Sequence, residues 1–336
     1  MWDNILGHTK QKEFLERYLK AQERPHALLF VGAEGLGKKQ LALAFAKALL
    51  CFAHTGTDHC EACRLMNLAD GNLSHPDFLL VQRQQDEKTG RYKDISKEQI
   101  ADLISKSAFA PTMSATKVCI IEDVDRMSVV AANSFLKLLE EPPAGWVMVL
   151  LATDENKLLA TIMSRVVSLR FQPVPVTAVQ GLLETRGVEP QRAEILARIS
   201  EGSVGTALGL AEQDIWELRK QALALLEALP LKLPLNYLAG RAWQQKGFER
   251  PQALLFVKLL QLLLRDLLMC KLHLEKGLYN CDLGQELEAL AASWQLGGLK
   301  LALKNVQDAY AALENSVNVR IVLEAMALKI DQVYKE

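Results

Sequence analysis

A chain of 336 residues, half of them hydrophobic and 24% charged, with a formal net charge of −1, can bury a sizeable core. At about 100 to 200 residues per domain it should hold two or three domains. The composition excludes a disordered chain. The near-zero charge excludes whole-molecule attraction to nucleic acid, so any DNA contact rests on a local basic patch or on partners.

The N-terminal "MWDNILGHTKQKEFLERYL" has no apolar signal core followed by small residues, and predicts an amphipathic helix after a Gly turn. A cytoplasmic chain is expected. From residue 27 to about 172, short apolar runs alternate with helical patterns: "ALLFV", "LALAFAKALL", "FLLVQ", "KVCIIED", "SVVAANSFLKLLEE", "VMVLLAT" and "VVSLRF". This alternation predicts a parallel α/β sheet. Ser128 is placed to cap a helix that the Pro142, Pro143, Gly145 cluster stops. After "FQPVPV" the strand signal vanishes, Pro173 marks a boundary, and the remainder reads as helices joined by loops at "EALPLKLPLN", "KGFERP" and "SWQLGG". The most apolar stretch, "LLFVKLLQLLLRDLLMC", is interrupted by Lys258, Arg265 and Asp266. It falls short of the ~20 apolar residues of a membrane span and reads as a buried helix.

"GAEGLGKK" satisfies G-x-x-x-x-G-K with Gly32, Gly37 and Lys38, between the strand "ALLFV" and the helix "QLALAFAKALL", with Gly35 inside the loop. Glycines let backbone N–H groups turn toward phosphates, the helix N-terminus adds partial positive charge, and Lys38 reaches the terminal phosphates of ATP. The next residue should be Ser or Thr, whose hydroxyl binds Mg²⁺, but here it is Lys39. An ammonium has no lone pair to offer a metal. An extra cation suits the holding of an anion, whereas hydrolysis needs the metal. Binding should therefore survive better than turnover.

"KVCIIEDVDRM" ends a hydrophobic strand in Glu122, Asp123 and Asp125. A carboxylate at a strand end beside a phosphate loop helps hold Mg²⁺, and a second polarises the attacking water. The usual order is Asp then Glu. Here Glu122 precedes Asp123, which moves both carboxylates by one methylene, and an error near ~1 Å can cost about 100-fold in rate.

Three of the six cysteines crowd into "CFAHTGTDHCEACRLM", residues 51–66. Cys60 and Cys63 form C-x2-C, and Cys51 with His54 forms C-x2-H, so a tetrahedral Cys3His Zn²⁺ site is chemically reasonable. His59 competes for the fourth position, although its adjacency to Cys60 makes joint ligation awkward. Such a closed site is structural. Cys119 and Cys270 read as core, and His75 in "SHPD" as part of a turn.

"ILGHTKQKEFLERYL", "RPHALLFVGAEGLGKKQLALAFAKALLC", "SHPDF", "KVCIIEDVDRMSVVAANSFLKLLEEPP", "LLATDENKLLATIMSRVVSLRF" and "NVRIVLEAMALKI" together resemble the bacterial clamp-loader AAA+ subunits of DNA polymerase III, delta-prime chains above all. The resemblance implies a RecA-like P-loop NTPase domain over residues 1–172, a helical lid over 173–212 and an all-α collar over 213–336. It implies a ring with gamma/tau and delta partners that loads the sliding clamp onto primed DNA. Ser164 and Arg165 of "TIMSRVV" match the family's "SRC" motif, whose arginine finger enters a neighbour's ATP site, with Val166 in place of Cys. Thr153 matches the γ-phosphate sensor. Thr206 stands where active subunits carry a lid Arg. The family carries a four-cysteine zinc module at the cysteine loop, and the missing cysteine falls at Met66. Lys39, the Glu122–Asp123 order and Thr206 depart from the family on the hydrolysis side. A stator with weak or no ATPase of its own is expected, a gamma/tau-type ATPase being the alternative and another P-loop DNA motor a further one. Any polymerase activity belongs to the holoenzyme.

Overall fold

The computed structural model describes residues 2, 5–54, 56, 60–67, 72–86, 92–213, 215–230, 249–274, 277–315 and 317–334. Among the described residues seven strands are formed: β1 (Ala27–Val31), β2 (Met66–Asn67), β3 (Asn72–Leu73), β4 (Phe78–Val81), β5 (Lys117–Ile121), β6 (Trp146–Ala152) and β7 (Val167–Arg170). Around them run α1 (Thr9–Lys20), α2 (Lys38–Leu50), α3 (Glu61–Leu65), α4 (Lys97–Ser107), α5 (Val129–Glu140) and α6 (Ala160–Met163). Further helices follow: α7 (Val176–Thr185), α8 (Pro190–Ile199), α9 (Val204–Glu212), α10 (Ile215–Glu227), α11 (Arg250–Lys271), α12 (Gly284–Ala292), α13 (Leu296–Glu314) and α14 (Val319–Tyr334).

Two compact units result: Met1–Val179 with Gly202–Thr206, and Gln180–Glu201 with Ala207–Glu336. Residues 173–212 are thus shared between the units. In the first unit five strands form a sheet in the order β4-β5-β6-β1-β7, every pair parallel. β1, β5 and β6 are buried along their whole length. That is what a parallel sheet covered on both faces requires, and it explains why these runs are apolar throughout instead of alternating. Side chains still divide by the two-residue strand period. Leu28, Phe30, Val118, Ile120, Val147 and Val149 join the core with α1 and α2, while Leu29, Val31, Cys119, Ile121, Met148 and Leu150 join the core with α4 and α5.

Ser128 caps α5 as expected, its Oγ accepting from Ala131 N at 3.2 Å. α5 stops at Glu140, just before Pro142. The two-residue strands β2 and β3 pair antiparallel, a hairpin that the sequence pattern does not announce.

In the second unit α11 carries the apolar stretch, burying Val257, Leu260, Leu263, Leu264 and Leu267, and packs along α13, which in turn packs on α14. Its acidic interruption is structural. Asp266, with 0% exposure, accepts from Asn280 N at 2.8 Å, Asn280 Nδ2 at 2.7 Å and Tyr279 N at 3.1 Å, and pairs with Arg265 at 2.9 Å. No helix among the described residues is long and apolar enough to cross a membrane. The expected loop at "SWQLGG" shortens, because α13 already begins at Leu296. The expected loops between residues 231 and 248 lie outside the described residues, as does His59.

Candidate functional site

The ends of β1, β5 and β6 open on the same edge of the sheet, so Gly32, Glu122 and Thr153 leave the core side by side. This carboxyl edge is where ligands bind in open α/β sheets. Gly35 and Gly37 have φ of +72° and +87°, a left-handed backbone that favours glycine. A Cβ on Gly35 would lie 2.2 Å from Ser203 Oγ and 3.0 Å from Thr206 N. The reason is that residues 202–206 sit directly on the loop. Gly205 N donates to Gly35 O at 2.8 Å, and Ser203 Oγ donates to Glu34 O at 3.1 Å.

Lys38 is 8% exposed, and its Nζ donates to Gly32 O at 2.5 Å and Ala33 O at 2.7 Å. The ammonium closes its own loop, and a phosphate would have to draw it off these carbonyls. Burial pulls the Lys38 pKa below the usual lysine range, while Glu34, Asp125 and Asp123 oppose that pull. On the other side of the loop His8 Nε2 lies 2.6 Å from Leu36 O, and its ring packs on Phe171.

Lys39 Nζ lies 2.8 Å from Glu122 Oε1. Thr153 does not face open space: its Oγ1 donates to Asp125 Oδ2 at 2.5 Å and its N to Asp125 Oδ1 at 3.3 Å. Asp123 takes a left-handed φ of 51° at the start of a 3₁₀ turn, Val124–Arg126. Of the three acidic residues after β5, Glu122 is therefore committed to Lys39 and Asp125 to Thr153. The residues present do not fit Mg²⁺ in the usual way, since the hydroxyl ligand is replaced by an ammonium that already neutralises the neighbouring carboxylate.

Arg165 follows α6 with its side chain 34% exposed. Its Nη1 donates to Thr161 O at 2.9 Å and Ser164 Oγ at 3.0 Å, and its Nη2 lies 2.9 Å from Glu140 Oε1 at the end of α5. Ser164 thus orients the guanidinium. Glu140, within the quoted "LLEEPP" run, was given no role by sequence reading. Ser203 and His8 were also missed, because a contact between residues so far apart in the chain leaves no local pattern.

The thiols of Cys51, Cys60 and Cys63 lie within 4.8 Å of one another, Cys51 and Cys63 buried and Cys60 half-buried. Tetrahedral Zn–S bonds of ~2.3 Å set sulfurs about 3.8 Å apart, so three corners of a site are at hand and the cluster could hold a metal ion. Among the described residues His54 does not join them: its exposed ring sets Nδ1 3.3 Å from Ala48 O. Met66 is fully buried in the core. Cys119 and Cys270 are core residues as expected, and burial pushes the Cys119 thiol up to about 12.

A parallel sheet with a glycine loop and lysine after its β1 strand, and acidic residues after β5, defines a chain of the P-loop class. Residues 7–175 match a family model described as DNA polymerase III, delta subunit, and residues 213–332 match its C-terminal counterpart. The chain is 31% identical to DNA polymerase III subunit delta' of Bacillus subtilis, covering 91% of each chain. It is 35% identical to the Pseudomonas aeruginosa delta' subunit over 59% of this chain and 60% of that relative. A gamma subunit-related DNA polymerase III protein of Thermotoga maritima shares the fold, with TM-score 0.53 and 18% identity over 97% of this chain and 100% of that one. The chain belongs to the DNA polymerase III delta' subunit family.

Proposed function

We propose that this chain is a stator subunit of a DNA polymerase III clamp loader. It assembles with gamma/tau and delta partners and helps load the sliding clamp onto primed DNA in the cytoplasm. The observation that carries this reading is the match to a delta' subunit across 91% of both chains. The expected three-part division into nucleotide-binding domain (1–172), lid (173–212) and collar (213–336) goes with it.

In this reading Arg165 is a finger offered to a neighbouring subunit's ATP. Its partial exposure and its single carboxylate partner, Glu140, among the described residues support that role. A guanidinium stabilises charge on a transferring γ-phosphate across an interface. Ser164 and Thr161 hold one edge of it. The chain's own hydrolysis is weak or absent, because the Lys39 ammonium is paired ionically with Glu122 and Thr206 offers no cationic lid group. Thr153, tied to Asp125, would reach a γ-phosphate only by leaving that carboxylate. The cysteine cluster holds a structural Zn²⁺ in this reading, through Cys51, Cys60 and Cys63. His54 would have to turn from Ala48 O to supply the fourth ligand, and His59 is its alternative.

Reconstitution tests the assignment. The chain should co-purify with gamma/tau and delta subunits and restore clamp loading. Steady-state ATP turnover by the isolated chain that is lost in Lys38→Ala would instead favour a gamma/tau-type ATPase.

A further inference from the structure

The contact between Lys39 and Glu122 joins the two elements that hold Mg²⁺ in P-loop NTPases, the first turn of the helix after the loop and the end of the acidic strand. Lys39 Nζ lies 2.8 Å from Glu122 Oε1, with side-chain exposures of 50% and 19%. That carboxylate oxygen is shielded from solvent and makes no hydrogen bond of good geometry among the described residues, so the contact is ionic. A divalent ion placed there would meet an ammonium already resting on its carboxylate, and at such range like charges repel strongly even with partial screening.

The loop's anion-holding features are otherwise kept. Gly35 and Gly37 retain the left-handed backbone that turns N–H groups outward. α2 runs 13 residues from Lys38 with no acidic residue in its first turn. A second lysine therefore stands beside Lys38 where the metal-binding hydroxyl would be.

We propose that this cradle is a divalent-independent polyphosphate site, in which the Lys39 ammonium, with Glu122 as its counter-ion, stands where Mg²⁺ would bridge. A nucleoside triphosphate then binds as the metal-free anion. Its phosphates take donors from the loop backbone, from Lys38 once it leaves Gly32 O and Ala33 O, and from the exposed side of the Lys39 ammonium. No metal-dependent step follows, which separates holding a nucleotide from hydrolysing it. The assignment does not rest on Arg165 or on clamp-loader assembly.

Titration of the full chain with a fluorescent ATP analogue, in excess Mg²⁺ and in excess EDTA, tests it. The expected result is a dissociation constant that differs by less than about twofold between the two conditions, with binding lost in Lys38→Ala. Lys39→Thr restores a hydroxyl and frees Glu122, so its binding should become at least tenfold tighter in Mg²⁺ than in EDTA. Glu122→Gln keeps the ammonium, and its binding should stay indifferent to metal. Circular dichroism of each variant confirms that the fold persists. Wild-type binding that is tenfold weaker in EDTA would overturn the proposal, and so would the absence of binding up to millimolar nucleotide in both conditions.

Discussion

Arg165 and Glu140 form a partly exposed pair that ties the end of α5 to the turn after α6, with Nη2 2.9 Å from Oε1. Such pairs contribute about 0.2–1 kcal/mol, so Glu140 can orient Arg165 without trapping it. Arg165→Ala should lower ATP turnover at the adjoining site of the assembled loader by about 10³-fold, while thermal unfolding of the chain and its co-elution with partners stay unchanged. Glu140→Gln should cost less than about 1 kcal/mol in denaturant unfolding. An unaltered turnover in Arg165→Ala would remove the finger assignment.

Gly35 and Gly37 share a left-handed backbone but differ in what surrounds them. A Cβ at Gly37 meets nothing within 4 Å, whereas one at Gly35 meets Ser203 Oγ at 2.2 Å. Gly37→Ala should therefore carry only the backbone penalty of about 1–2 kcal/mol. Gly35→Ala adds the displacement of residues 202–206 and should lose about 1–3 kcal/mol more. Urea unfolding of both variants measures the difference, and equal costs would mean that residues 202–206 yield without resistance.

The five sheet strands were legible because each is a short apolar run between breakers, and the phosphate loop because its glycines and lysine are fixed by local geometry. Lys39 was readable as an anomaly, but its partner was not. Nothing along the chain says that an ammonium at position 39 will reach a carboxylate at 122; only the parallel pairing of β1, β6 and β5 does. The same holds for Ser203 on Glu34 and Glu140 on Arg165. Thr153 is legible only through the resemblance, as a γ-phosphate sensor, and its bond to Asp125 comes from the 3₁₀ turn that follows Asp123. In the cysteine loop, spacing brought out the three thiols, but not the orientation of His54 toward Ala48.

Asp77 is fully buried and accepts from Thr112 N at 2.7 Å and from Met113 N and Ser114 N at 2.8 Å. Burial alone would push its carboxyl up, but the three N–H donors, helped by His75, more than offset that and hold its pKa below the usual value. A depressed carboxylate stabilises the fold above its unfolded pKa, near 3.9, and the stabilisation is lost as pH falls toward the folded value. Denaturant unfolding should show the wild type losing stability below about pH 4, and Asp77→Asn losing less over the same interval. At pH 7 Asp77→Asn should already be weaker by about 1–3 kcal/mol, since an amide serves three N–H donors poorly. Parallel acid profiles for the two proteins would contradict this account.

The three clustered thiols give a test that does not depend on nucleotide. Zn²⁺ bound at Cys51, Cys60 and Cys63 would tie the end of α2 to α3, a short helix of five residues. Binding of a metal by the folded state alone stabilises that state, so the purified chain should contain about one Zn²⁺ by elemental analysis and lose thermal stability on chelation. Cys63→Ser should abolish the metal and lower the unfolding temperature, and chelator should then have no further effect. His54→Ala separates the fourth-ligand alternatives: weaker zinc retention would show that the ring leaves Ala48 O to bind, while unchanged retention would pass the role to His59 or to solvent. Metal content near zero in freshly prepared wild type, unrestored by added Zn²⁺, would mean that these three thiols pack as ordinary core and the loop holds together without a metal.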